Sequence, residues 1–280
     1  MSILSGLGKL GLSNLEQAEV FTEDKKEEKN EEASQEPKKL LITDFVFDKK
    51  YECPVCYKEF VSPTVKGAKV KMIGQDSDLR PRYEPLDPMK YDVIVCPNCG
   101  YAALTRYFDK IMPPQAKLVK EEISKSFRGI KHALDLSYDD AIERYQLALG
   151  NAIVKKGKAS EKAYICLKMA WIVRGKMESL STDLDDYDEQ MSDLRQDEME
   201  LLKNAFDGFI TARQTEDFPM CGMDESTVDF IISVTAIKLD RIDIASKLVS
   251  GLLVNPSANS RIKDKARELK EAIIRNTKSE

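Results

Sequence analysis

The sequence holds one histidine, His132, and one tryptophan, Trp171. A single histidine excludes a zinc site built on two histidines and a metalloprotease HExxH helix. It also removes most histidine-based acid–base chemistry. Long apolar runs are missing: none approaches the roughly 18 residues that a membrane-spanning helix needs. A positive excess is missing too, since 43 Lys plus Arg face 48 Asp plus Glu, for a net charge of −5. No broad basic field exists to coat a nucleic acid, and none is expected as a partner. The opening MSILSGLGKLGLSNL has no charged segment leading into a solid apolar core, so it reads poorly as a signal peptide. The 280 residues therefore read as a soluble, cytoplasmic chain, long enough for a substantial core.

Against that lone histidine stand six cysteines. Four form two knuckles, Cys53-Pro54-Val55-Cys56 and Cys96-Pro97-Asn98-Cys99, the second followed by Gly100. A Cys-x-x-Cys turn aims two thiolates at one point, and two such turns complete a tetrahedron of sulfur. Gly100 suits a turn that needs positive φ. Disulfides are disfavoured in a chain without an export signal, and redox Cys-x-x-Cys chemistry belongs beside a βαβ pattern that is absent here. Four thiolates leave zinc no open position for water, so the expected role is structural. Iron is the alternative: CPVC and CPNCG with nearby aromatics also resemble rubredoxin knuckles, and ligand identity does not separate the two metals. Zinc is preferred because the 39 residues between the knuckles lack the compact aromatic core of a small electron-transfer iron site. Those residues are expected to fold outward as an insert.

Four segments follow from composition. Residues 1–22 are a short apolar stretch, a candidate for weak membrane or partner contact, with Gly6, Gly8 and Gly11 opposing a helix. Residues 23–41 begin EDKKEEKNEEASQEPKK and form a charged flexible linker. Residues 42–108 hold short Val-, Ile- and Tyr-rich runs, as a zinc-ribbon-like β module does, with TVKGAKV reading as a hairpin about Gly67. Charge balances in residues 51–105, seven acids against seven bases. Residues 109–280 switch to a helical period after Pro113-Pro114. Seven apolar stripes follow, the first running from Ala116 through Val119, Ile123, Phe127 and Ile130 to Leu134. Later ones centre on Tyr145, Trp171, Phe206, Ile231, Val249 and Ala266. Trp171 and Cys166 belong to the third stripe and are assigned to the core. Cys221 is a loop thiol, and His132 a satisfied or solvent-facing side chain on a helix. An acidic run, Asp183 to Glu200, lengthens the turn between the third and fourth helices.

The spacing of Ala141, Tyr145 and Ala148 recurs in Ala245, Val249 and Leu252, with Pro256 after the last. This resembles the second helix of a tetratricopeptide repeat, where a small residue admits the partner helix. Ala141 and Ala245 lie 104 residues apart, close to three 34-residue units. Stacked pairs of this kind imply a protein- or peptide-binding array; an ordinary helical bundle is the alternative.

Between the knuckles lies a polar loop with Asp76, Asp78, Arg80, Arg82 and Tyr83. It reads either as an anion- or peptide-recognition loop with two arginine forks, or as ion pairs and turns that hold the insert together. FDKKYECPVCYKEF and GQDSDLRPRYEPLDPMKYDVIVCPNCGYAAL, followed by the helical region, resemble the bacterial family known as domain of unknown function 2225. The resemblance spans about residues 45–275 and is most specific in its first 60. It implies a zinc-ribbon-like module followed by tetratricopeptide-like helices, and it implies no activity. The expected fold is α+β, mostly α. The leading functional expectation is a non-enzymatic zinc-binding adaptor or scaffold for a protein or peptide partner. The alternatives are an iron electron-transfer protein, or an enzyme using the Asp76–Tyr83 loop.

Overall fold

The computed structural model describes residues 41–277. The segments expected at 1–22 and 23–41 lie outside the described residues, apart from Leu41. Three antiparallel strand pairs come first: β1 (Val46–Glu52) with β2 (Glu59–Val65), β3 (Lys71–Gln75) with β4 (Pro81–Glu84), and β5 (Val93–Val95) with β6 (Ala102–Leu104). Helices α1 (Pro113–Val119), α2 (Tyr138–Val154), α3 (Ala159–Ser179), α4 (Tyr187–Thr215), α5 (Glu225–Lys238), α6 (Ile242–Val254) and α7 (Ser260–Thr277) follow. The architecture is α+β and mostly α.

The strand pairing differs from expectation around Gly67. β2 ends at Val65, a 3-10 turn covers Gly67–Lys69, and β3 begins at Lys71. TVKGAKV therefore connects two separate ladders and is no hairpin. β2 pairs back to β1 with Glu52 opposite Glu59, and β5 pairs with β6 with Val95 opposite Ala102. Each knuckle is thus the turn of its own hairpin. Nor does the segment between the knuckles fold outward. β3 is exposed, but the turn joining it to β4 buries Asp78 and Arg80 against the helices.

Period-two alternation in β5 and β6 explains how strands and helices combine. Side chains on a strand point alternately to its two faces. Val93, Val95, Ala102 and Leu104 join the main core with the helices, while Ile94 and Ala103 join a second core around the knuckles. Both faces are covered, so every residue of the two strands is buried and VIV is apolar throughout. The main core passes without a gap from these strands into the helices, and the described residues form one compact unit.

Six of the seven helices match the apolar stripes. α2 starts on a capping box: Ser137 Oγ accepts from the Asp140 amide at 3.0 Å, and Asp140 accepts from the Ser137 amide at 2.9 Å. α5 is buried on nearly all sides, its enclosed polar groups satisfied locally: Ser233 and Thr235 donate to the Asp229 and Ile231 carbonyls, and Asp229 pairs with Arg213. α3 and α4 pack closely, because a Cβ on Gly208 would lie 2.8 Å from the Ala163 methyl.

Two stretches depart from the expected helices. The first stripe is not one helix: α1 passes into a π-type turn over Lys120–Ser124 and ends, and Gly129 takes φ +102°. Residues beyond it, including His132, Ile130 and Leu134, lie in irregular chain. Ile130 still packs on the main core and Leu134 on a third, small cluster with Val46, Tyr91 and Leu136. The acidic run does not lengthen a turn either. α4 begins at Tyr187 and contains most of it, because the run lacks Gly and Pro and its first-turn acids, Asp188 and Glu189, suit a helix N-terminus.

Candidate metal centre

The two knuckles are near-copies in backbone. The Cys53 amide donates to the Lys58 carbonyl at 3.0 Å, and the Cys96 amide to the Tyr101 carbonyl at 2.9 Å. The Tyr57 amide returns to the Cys53 carbonyl at 2.8 Å, and the Gly100 amide to the Cys96 carbonyl at 3.0 Å. This turn requires a left-handed residue one place after the second cysteine. Gly100 fills it with φ +72°, and Tyr57 fills it with φ +60°. Gly100 meets a second constraint, since a Cβ there would lie 2.6 Å from the Phe127 ring. The amides of Val55 and Cys56 reach the Cys53 sulfur, and those of Asn98 and Cys99 reach the Cys96 sulfur.

The two turns bring four sulfurs together. All lie within 4.8 Å of one another, with Cys53 to Cys99 at 3.5 Å and Cys56 to Cys96 at 3.7 Å. Metal–sulfur bonds of about 2.3 Å imply a tetrahedral edge of about 3.8 Å. Both close pairs fit that edge, and the donor set is four thiols with no competing oxygen or nitrogen. Cys53, Cys96 and Cys99 are buried and Cys56 is half-buried. Sulfur crowding divides the protons unevenly. Contact with Cys96 raises the Cys53 thiol above its ordinary value, while hydrogen bonds with Cys53 and Cys99 lower that of Cys96. A divalent cation would replace these S–H contacts and hold all four groups as thiolates.

Around the sulfurs stands an aromatic cluster. Tyr51 stacks on Phe60 with centroids 5.9 Å apart, and Phe108 packs against Tyr51 at 6.0 Å, Phe60 at 5.9 Å and Tyr101 at 5.1 Å. The compact aromatic core expected to be absent from the segment between the knuckles is therefore present around the sulfurs. It comes mostly from positions outside that segment, with Phe60 its contribution from within. Helix-side groups fix the second knuckle: Ser124 Oγ donates to the Cys99 carbonyl at 2.8 Å, and Asn151 Nδ2 to the Gly100 carbonyl at 2.9 Å. Neither Ser124 nor Asn151 carries a sequence motif that marks this role.

The polar loop forms a separate cluster in contact with the helices. Arg80 donates to both Glu178 carboxylate oxygens at 3.0 Å. Arg82 reaches Asp76 at 2.5 Å and Glu178 at 2.8 Å. Arg174 on α3 reaches Asp78 at 2.7 Å, Asp76 at 3.2 Å and Glu198 on α4 at 2.6 Å. Trp171 Nε1 donates to Asp78 at 3.2 Å. Burial works against ionising Asp78, but the hydrogen bond and charge of Arg174, with Lys238, outweigh it and hold the carboxyl below its ordinary value. Asp76 and Asp78 sit at a turn, both facing Arg174, and do not face water from a strand. Tyr83 is half-buried on β4 beside a hollow of about 450 Å³ that Trp171 and Tyr164 also line.

The remaining singled-out residues are settled locally. Cys166 is buried in the core, and burial raises its thiol to about 11. Cys221 is buried as well, with its sulfur donating to the Ser160 carbonyl at 3.2 Å. His132 is exposed and pairs with Asp48 at 3.2 Å. Among the described residues, no helix is long and apolar enough to cross a membrane.

Two Cys-x-x-Cys hairpins that converge on one point, set against a helical core, define an α+β protein with a four-cysteine cluster that could hold a metal ion. The chain belongs to the family described as an uncharacterized protein conserved in bacteria, domain of unknown function 2225, which it matches over residues 46–273. No curated protein and no solved structure matches it.

Proposed function

We propose that the protein is a non-enzymatic, zinc-bound adaptor of the bacterial cytoplasm, whose helices stack in tetratricopeptide-like fashion and bind a protein or peptide partner. The observation that carries the metal half is the sulfur tetrahedron, with edges of 3.5 and 3.7 Å and three of four sulfurs buried. Four thiolates saturate zinc, so the metal would hold the two hairpins together and leave no position for a reacting water. The partner-binding half is supported by consecutive packing of α2 to α7 and by the close α3–α4 approach at Gly208. Elemental analysis and visible absorbance of protein purified without added metal test the site. A colourless preparation with about one zinc per chain is expected. A red preparation containing iron overturns it.

Iron in the same four cysteines is the second reading, and the aromatic cluster of Tyr51, Phe60, Tyr101 and Phe108 favours it. The partial burial of Cys56 leaves an edge of the site near solvent, as electron exchange requires. The same absorbance measurement separates the two.

A further inference from the structure

α2 and α4 both pack on α3 and meet each other little, leaving a groove between them with α3 as its floor. Two contiguous hollows of about 300 and 340 Å³ make up the groove, sharing Leu149, Cys166 and Asn204. The floor runs from Ala159 to Val173, about 21 Å at 1.5 Å per residue. The α2 wall is the stripe Ile142, Gln146, Leu149 and Ile153, and Ile153 is 58% exposed. The α4 wall is Asp197, Glu200, Asn204 and Asp207. None of these three carboxylates has an ion-pair partner among the described residues, unlike Glu198 one position away. Lys162, on the floor, is the lining cation, so three carboxylates face one ammonium and the lining carries a net negative charge beside the apolar residues of α2 and α3.

We infer that this groove docks a basic amphipathic helix of about four turns from a partner protein. The inference rests on the adaptor reading and adds to it the site and the partner's chemistry. Four turns of helix match the length of the floor. An apolar face meets Ile142, Leu149 and Ile153, and flanking Lys or Arg meets the three carboxylates. An acidic helix would be repelled, and an extended strand would find no sheet edge here.

The test uses the full-length, metal-loaded protein and fluorescein-labelled 14-residue model peptides read by anisotropy. One peptide is an amphipathic Leu/Lys helix, one replaces Lys by Glu, and one has the Leu/Lys composition in scrambled order. The first is expected to bind at least tenfold more tightly than the others. The Asp197→Asn, Glu200→Gln, Asp207→Asn triple variant should weaken it about tenfold and flatten its salt dependence. Ile153→Ser should weaken it without changing the salt dependence. Equal binding of the scrambled peptide, or binding indifferent to these variants at unchanged circular dichroism, overturns the inference. So does a dimer, seen by sedimentation, that Ile153→Ser dissociates, since the groove is then a self-interface. Photo-crosslinkers placed in cells at Asn204 and, as a contrast, at exposed Met72 separate this from the broader reading. Partner adducts at Met72 alone overturn the groove and leave an adaptor. Adducts at neither position overturn both.

Discussion

The two knuckles share a backbone and differ in everything around it. The first joins β1 and β2, a ladder whose β1 strand is exposed along most of its length. The second joins β5 and β6, which are buried on both faces and tied to the helical side through Ser124, Asn151 and Phe127. Identical turn chemistry therefore rests on two sources of order. The second knuckle is held by two cores and would keep its shape on packing alone. The first has Tyr51, Val55 and Phe60 on the core around the knuckles and Val46 on the small third cluster, and depends more heavily on its sulfurs meeting the other pair.

Metal removal breaks this comparison most sharply. Chelation should remove stabilisation on the order of 10 kcal/mol from the coupled site. Hydrogen exchange should then show amides of residues 46–65 losing protection by at least a hundredfold, while residues 93–104 stay within about tenfold of the loaded protein. Equal loss in both would mean that the cores do not hold the second knuckle.

A lesion outside both knuckles gives the reference. Asp78→Ala leaves Arg174 and the Trp171 indole short of a buried acceptor and should cost about 3–5 kcal/mol in denaturant unfolding, with metal content unchanged. The pH dependence has a definite sign. The Asp78 carboxyl is lowered in the folded state, so its contribution is present above the unfolded value near 3.9 and is lost as pH falls through the folded value. The stability gap between the native chain and Asp78→Asn should be full at pH 7 and shrink below about pH 4.

Two substitutions at the equivalent turn position then compare the knuckles directly. Gly100→Ala meets both the left-handed backbone cost and the Phe127 ring, and should destabilise by about 2–3 kcal/mol. Tyr57→Gly removes a left-handed cost of about 1 kcal/mol but gives up the Lys120 contact at 5.3 Å and adds chain entropy to the unfolded state. Its net effect should stay within about 0.5 kcal/mol. Thermal melts of the two variants at fixed metal concentration measure the difference. Similar losses at both positions would show that the turn, and not its setting, decides.

Local signals were legible in the sequence, and distant partners were not. Cys-x-x-Cys spacing, the positive φ at Gly100, the start of α1 at Pro113 and the apolar stripes of α2 to α7 are encoded within a few residues of each other. The pairing of β2 is hidden because Gly67 looks like a hairpin centre, and only the strand before it shows that β2 is already paired. The partners of the polar loop, Arg174, Glu178 and Lys238, lie roughly a hundred residues away or more, on two different helices, with Glu198 on a third bridging Arg174 and Lys238, and no periodicity points to them. The left-handed Tyr57 was invisible for another reason: a residue that tolerates a position at some cost leaves no glycine to mark it.

The alternation in β5 and β6 sets a limit on how this chain can change. Each residue of that ladder is committed to one of two interiors, Ile94 and Ala103 to the sulfur side and Val93, Val95, Ala102 and Leu104 to the helical side. Losing or gaining one residue in either strand exchanges the two sets, so a single slip damages both interiors at once. Among the strands, the exposed stretches of β1 and β3 carry no such double commitment, and the six residues of β5 and β6 are those whose spacing is least free to drift.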